Sequence, residues 1–168
     1  YLYHEGEFVD DLTGRDLSKE MVIKARMLEL KFFRDLKVYD KVPRQPGVKT
    51  ITTKWLDINK GDTASPNYRS RLVGRELNLY KRDDLFAGTP PLESLRMLLS
   101  RCSSRKKHLV MAVDVKRAYF YAPATRPIYI EIPMEDRQPG DEDKVGHLNR
   151  SLYGTRDAAM NWVTAYTK

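Results

Sequence analysis

Apolar residues in this chain recur at two spacings, and the changes of spacing mark out its elements. Residues 1–17 are polar and acidic with no apolar period. Ser18 is a good helix N-cap, and Met21, Ala25, Leu28, Phe32 and Leu36 then return every three or four residues, which predicts a helix with one buried face. Gly47 to Ile58 is rich in Thr, Val, Ile and Trp and predicts a strand. The turn sequence NKGDTASPN and the run YRSRLV, Tyr68 to Val73, predict a hairpin that returns along it. Residues 80–91 read as a loop ending in Thr89-Pro90-Pro91, a sound helix start. The helix that follows places Leu92, Leu95, Leu98, Leu99 and Cys102 on its apolar side. HLVMAVDV, His108 to Val115, reads as a short buried strand, and PIYIEIP, Pro127 to Pro133, as an alternating one. An acidic loop, Glu135 to Lys144, leads to VGHLNRSLYG and then to a helical segment, Arg156 to Tyr166, with Trp162 facing inward. No internal repeat is visible, and the class is α+β.

Composition narrows the picture a little. The 168 residues suffice for one domain with a core, and 41% hydrophobic residues are too many for a disordered chain. They are also too scattered for a membrane span. One cysteine, Cys102, excludes an internal disulfide and a cysteine-rich zinc site, and the three histidines are far apart. The first residue is Tyr and nothing near it resembles a signal peptide, so the expectation is a piece of a longer reading frame. Net charge is +7 with a pI near 9.4. That fits a nucleic-acid partner, and equally a plain solvated basic surface.

Two stretches offer carboxylate chemistry. Phe8-Val9-Asp10-Asp11 has the letters of a metal-binding hairpin, but polar residues flank it on both sides, whereas such a hairpin needs apolar strands to sit in a sheet. It reads better as a polar lead-in to the first helix. In MAVDVKRAYFYAP, Met111 to Pro123, an apolar run leads straight into Asp114. A buried carboxylate is costly unless paired or bound to metal, so a strand-end aspartate suggests function. An N-cap of the following turn is the equally open structural alternative.

These residues carry a resemblance. DVKRAYF resembles the first catalytic motif of reverse transcriptases, between the DVKTAF of copia-type retrotransposon enzymes and the DVxxAYF of retroviral ones. TTKWLDINKGD with NYRSRLVGREL, LFAGTPPLESLRMLLS, IYIEIP and HLNRSLYGTRDAAMNW resemble further blocks of the copia-type family, in the family's order, over roughly residues 21–166. The resemblance implies a partial right-hand polymerase, the fingers and the start of the palm. It also implies RNA or DNA template-primer and deoxynucleoside triphosphates as partners, two Mg2+ ions as cofactors, and a parent polyprotein with integrase, protease and ribonuclease H. By the same resemblance Asp114 would ligate both metals, and Val115 would offer its backbone carbonyl. Tyr119 would stack under the incoming sugar. Lys60 and Arg69 or Arg71 would neutralise triphosphate oxygens, and Gly154 would let backbone approach the nucleotide or template. Each of these has a plain structural alternative: core packing for Tyr119, solvated strand residues for the basic three, a turn before a helix for Gly154.

The departures matter as well. Where the family has Asn-Gly after the motif's aromatic residue, this chain reads Phe120-Tyr121-Ala122-Pro123, and where the family has Leu-Lys-Gln it reads Thr155-Arg156-Asp157. Asp157 puts negative charge where nucleotide phosphates would pass. The family's second catalytic motif, Tyr-x-Asp-Asp, is not found after Asp114, and the pair Asp83-Asp84 falls in a charged loop. The expectation is therefore an RNA-directed DNA polymerase portion, inactive by itself. A non-catalytic nucleic-acid-binding remnant and an unfolded relic are the alternatives.

Overall fold

The computed structural model describes residues 8–76 and 90–167. Leu77 and Asn78, the Asp83-Asp84 pair and most of the loop before Pro90 lie outside the described residues. The first helix, α1, spans Lys19–Asp35 behind an extended Ser18. It ends where Leu36 leaves helical geometry, Lys37 takes a left-handed φ of 48° and the Val38 N–H bonds back to the Phe33 carbonyl at 2.9 Å. The chain then enters β1, Tyr39–Pro43, which no apolar alternation had suggested. Strand-forming residues continue in β2, Thr50–Ile51, and β3, Thr53–Asn59. The turn after Asn59 returns the chain into β4, Tyr68–Gly74.

Strands β3 and β4 pair antiparallel from Thr53 opposite Gly74 to Asn59 opposite Tyr68. Trp55, Asp57, Ser70 and Leu72 share one face, and Lys54, Leu56, Ile58, Arg69 and Arg71 the other. Of the first face, Asp57, Ser70 and Leu72 are buried, and α1 packs against β4. Downstream come α2, Leu92–Ser103, a 3₁₀ turn at Ala118–Tyr121, β5, Tyr129–Ile130, and β6, Lys144–Leu148. The last helix, α3, spans Ala158–Tyr166. A four-strand sheet runs in the order β1-β6-β5-β2, with β2 and β5 parallel and the other pairs antiparallel. Phe33, Val38, Leu72, Phe120, Ile130, Leu148 and Leu152 form the core between sheet, hairpin and α1. Mixed α+β architecture is thus observed. No described helix is long and apolar enough to cross a membrane.

Several expectations need correction. The buried stripe of α1 is Val22, Arg26, Glu29, Leu30 and Phe33, one position round from the predicted Met21, Ala25, Leu28, Phe32 and Leu36, and Leu28 is exposed. Two charged residues take core-facing places because each has a fixed partner. Arg26 gives Nη2 to Asp57 at 2.5 Å and Nη1 to Glu135 at 2.6 Å, and its guanidinium lies over the rings of Phe8 and Trp55. Glu29 is paired with Arg117. HLVMAVDV is not a strand: residues 108–115 have no ladder, and Leu109, Met111 and Val113 are 95%, 86% and 71% exposed. A strand needs a neighbour for its backbone groups, and none of the described residues supplies one. The apolar side of α2 is exposed for the same want of a covering element. PIYIEIP contributes only two residues to a ladder, although Ile128, Ile130 and Ile132 are all buried as its alternation implies. Trp162 is half-buried and stacks on Tyr166.

Candidate polymerase site

The hairpin, the 3₁₀ turn and the segment before α3 meet around Tyr153. Tyr119 lies beside it with ring centroids 4.7 Å apart, and the Arg71 guanidinium sits 5.3 Å from the same ring. Phe120, 1% exposed, fixes the turn from below through edge contacts with Phe33 at 4.8 Å and Tyr153 at 5.7 Å. The next residue, Gly154, has a φ of 81°, and a Cβ there would stand 2.0 Å from the Gly74 carbonyl oxygen. The Gly74 N–H donates to the Tyr153 carbonyl at 2.7 Å. Glycine at 154 is therefore required by the close crossing of the β4 exit over this turn. Arg71, Tyr119 and Gly154 are thereby brought into one cluster.

Asp114 and Val115 precede the turn and face a different group of residues. With Val113, Ala118, Trp162 and Tyr166 they line a cavity of about 280 Å³ against α3. Asp114 is exposed, so the burial that made it stand out in sequence is not present here. Arg69 is exposed on the outer face of the hairpin, and Lys60 is exposed where the chain leaves β3, its N–H donating to the Asn67 carbonyl at 3.0 Å. Neither is drawn into the Tyr153 cluster by a ring or ion contact.

The chemistry of the donor set is limited. Asp114 offers one carboxylate and Val115 one carbonyl, and no group of three or more His, Cys, Asp or Glu among the described residues could hold a metal ion. Magnesium is commonly held by one or two carboxylates with water and phosphate oxygens. Asp114 and Val115 would therefore supply only part of a ligand set, and the described residues do not make a two-ion site.

The Asp10-Asp11 pair does different work. Asp10 accepts the N–H groups of Leu12 at 2.9 Å, Thr13 at 2.8 Å and Asn59 at 2.7 Å. The Asn59 N–H, followed by that of Thr13, holds its carboxyl below the usual range. Asp11 accepts the Asp57 N–H at 2.8 Å and the Lys54 ammonium at 2.7 Å. With Phe8 buried beside Arg26, these carboxylates strap residues 8–17 to β3.

Asp157 is likewise committed. Its oxygens accept from Arg126 Nε and Nη2 at 3.1 Å each, and Glu76 accepts from Arg126 at 2.6 Å and from Arg156 Nε at 3.1 Å. Burial would raise the Glu76 carboxyl, but Arg126 and Arg156 outweigh it and hold the group low. Glu76, Arg126 and Arg156, with Lys49 and Arg75, border a cleft of about 330 Å³ along β2 and β5. Sequence reasoning missed Glu29 and Arg126 as neighbours of the site, and gave no role to the side chains of Arg117 and Tyr153 inside their motifs. Their contacts join residues far apart in the chain, and no local pattern signals them.

Comparison with known proteins decides the family. The sequence model of the family described as "Reverse transcriptase (RNA-dependent DNA polymerase)" matches residues 36–168. The chain belongs to this reverse transcriptase family. A relative is the Retrovirus-related Pol polyprotein from transposon TNT 1-94 of Nicotiana tabacum, 29% identical over 149 residues that cover 86% of this chain and 11% of the relative. The chain thus spans about a tenth of the length of the curated relative it matches, and the copia-type resemblance of its motifs agrees with that match. No solved structure matches this reverse transcriptase chain.

Proposed function

We propose that this chain is the fingers and N-terminal palm portion of a copia-type RNA-directed DNA polymerase. Asp114, with the Val115 carbonyl, is in this reading one of the groups a complete enzyme presents to magnesium. That ion supplies the charge stabilisation of nucleotidyl transfer when bound. Tyr119 bears on the sugar of the incoming deoxynucleotide, Lys60, Arg69 and Arg71 on its phosphates, and Gly154 on the close approach of backbone. The observation that carries the reading is that Arg71 of β4 and Tyr119 of the turn after Asp114 meet at Tyr153-Gly154, within the stretch that matches the family. Template-primer and deoxynucleoside triphosphates are the partners, and integrase, protease and ribonuclease H belong to the parent polyprotein.

The 168-residue chain alone should not extend a primer, since it holds one carboxylate of the set. Primer extension with magnesium, run on this chain and on a longer Pol chain carrying a Tyr-x-Asp-Asp motif, tests this. Extension by the longer chain alone is expected. Extension by the short chain, or by neither, contradicts the reading. A second reading, a nucleic-acid-binding remnant without chemistry, is favoured by the partial donor set. It predicts template-primer binding that weakens steeply with salt and no extension in any length of chain.

A further inference from the structure

We infer that Glu29 on α1 is a positioning residue for the Asp114 motif, holding Arg117 and, through it, the turn that joins Asp114 to Tyr119. The inference rests on the roles proposed above for Asp114 and Tyr119.

Arg117 adopts a φ of 55°, the left-handed region that a residue with a side chain enters only when its surroundings hold it there. Two groups on one side of α1 supply the hold. Arg117 Nε donates to Glu29 Oε2 at 2.7 Å, and the guanidinium lies 3.7 Å from the centre of the Phe32 ring. Glu29 and Phe32 are three residues apart, so they present to the same side of the helix. The dependence is mutual, because the Glu29 side chain is only 2% exposed and a buried carboxylate without a cation is strongly disfavoured. Its second oxygen, Oε1, is buried with no hydrogen-bond partner, which leaves Arg117 as the cation bonded to it, while Arg71 adds only a longer-range attraction.

What Arg117 fixes is the start of the 3₁₀ turn. Its carbonyl accepts the Phe120 N–H at 3.0 Å, and the Tyr119 carbonyl accepts the Ala122 N–H at 3.1 Å. On the other side of Asp114, residues 108–113 have no ladder and are exposed. The motif is thus held from its C-terminal side, and Arg117, three residues after Asp114, is the charged anchor on that side. A departure of this turn would move Asp114 and Tyr119 together, and small displacements of reacting groups cost large factors in rate.

Hydrogen exchange on the 168-residue chain tests this without needing activity. Glu29→Gln should speed exchange of the Phe120 and Ala122 amides by about tenfold, with the β3–β4 ladder amides unchanged. Arg117→Gly should do the same although it relieves the left-handed backbone, and Arg117→Lys should restore most of the protection. Unchanged exchange in Glu29→Gln overturns the proposal, as does unchanged exchange in Arg117→Gly. Loss of protection across the ladder as well overturns it too, since that marks a role in the whole fold. Asp114→Asn should leave these amides as they are, so failure of the Asp114 reading in primer extension is distinguishable from failure here.

Discussion

The corner built by α1 and the β3–β4 hairpin differs sharply from the stretch formed by α2 and residues 108–115. Both carry regularly spaced apolar residues. In the first, Val22, Leu30 and Leu72 are all 0% exposed, whereas in the second Leu95 is 52%, Met97 74% and Met111 86% exposed. The difference lies in what faces them. Across the corner, α1 meets a sheet face whose one buried acid, Asp57, is paired with Arg26 and also accepts the Ser70 hydroxyl at 2.6 Å. Around α2 no described element closes over the leucines. Amphipathic spacing therefore announces a face that wants covering and does not say what covers it.

The heaviest loss should come at Arg26. Arg26→Ala leaves Asp57 and Glu135 buried without their cation and should destabilise the chain by about 3–5 kcal/mol in urea denaturation. A loss under about 1 kcal/mol would mean that the corner is not held as described. Leu30→Ala should cost about 2–4 kcal/mol by the same measurement, through lost burial and the cavity left behind. Mild acid should weaken the corner and the loop beyond it. Asp141 is held well below the usual carboxylate range, first by Lys41 and then by Lys144, and Asp10 is held low by the Asn59 N–H. Groups whose folded values are depressed lend stability above their unfolded pKa near 4, and that stability is lost as pH falls through the folded values. Denaturation midpoints should thus fall between about pH 4 and pH 2, and Asp141→Asn should flatten the slope. The smallest effect belongs to α2, where Leu98→Ser should change stability by no more than about 0.5 kcal/mol. A larger loss would show that the face is covered after all.

Legibility in the sequence followed the same division. The hairpin from Thr53 to Gly74 could be read because its alternation and its turn are both local signals. The extent of α1 could be read, but its buried side could not. Arg26 faces inward because of Asp57 and Glu135, which lie 31 and 109 residues away, and periodicity counts an arginine as a solvent-facing residue. HLVMAVDV forms no strand, since apolar letters stand for burial only where a neighbouring strand exists. Asp114 and Tyr119 were legible as motif residues through resemblance. Glu29 and Arg117, separated by 88 positions, were not, since their pairing exists only in the fold. The Asp10-Asp11 pair has polymerase-like letters, yet its oxygens are taken by backbone N–H groups and a lysine.

The role proposed for Asp114, and not for the Asp10-Asp11 pair, can be put to a direct test. Magnesium-dependent primer extension by a longer Pol chain, with Asp114→Asn compared against Asp11→Asn, tests it most directly. Asp114→Asn should abolish extension while Asp11→Asn retains it. Extension that survives in Asp114→Asn, or that is lost only in Asp11→Asn, would contradict that role.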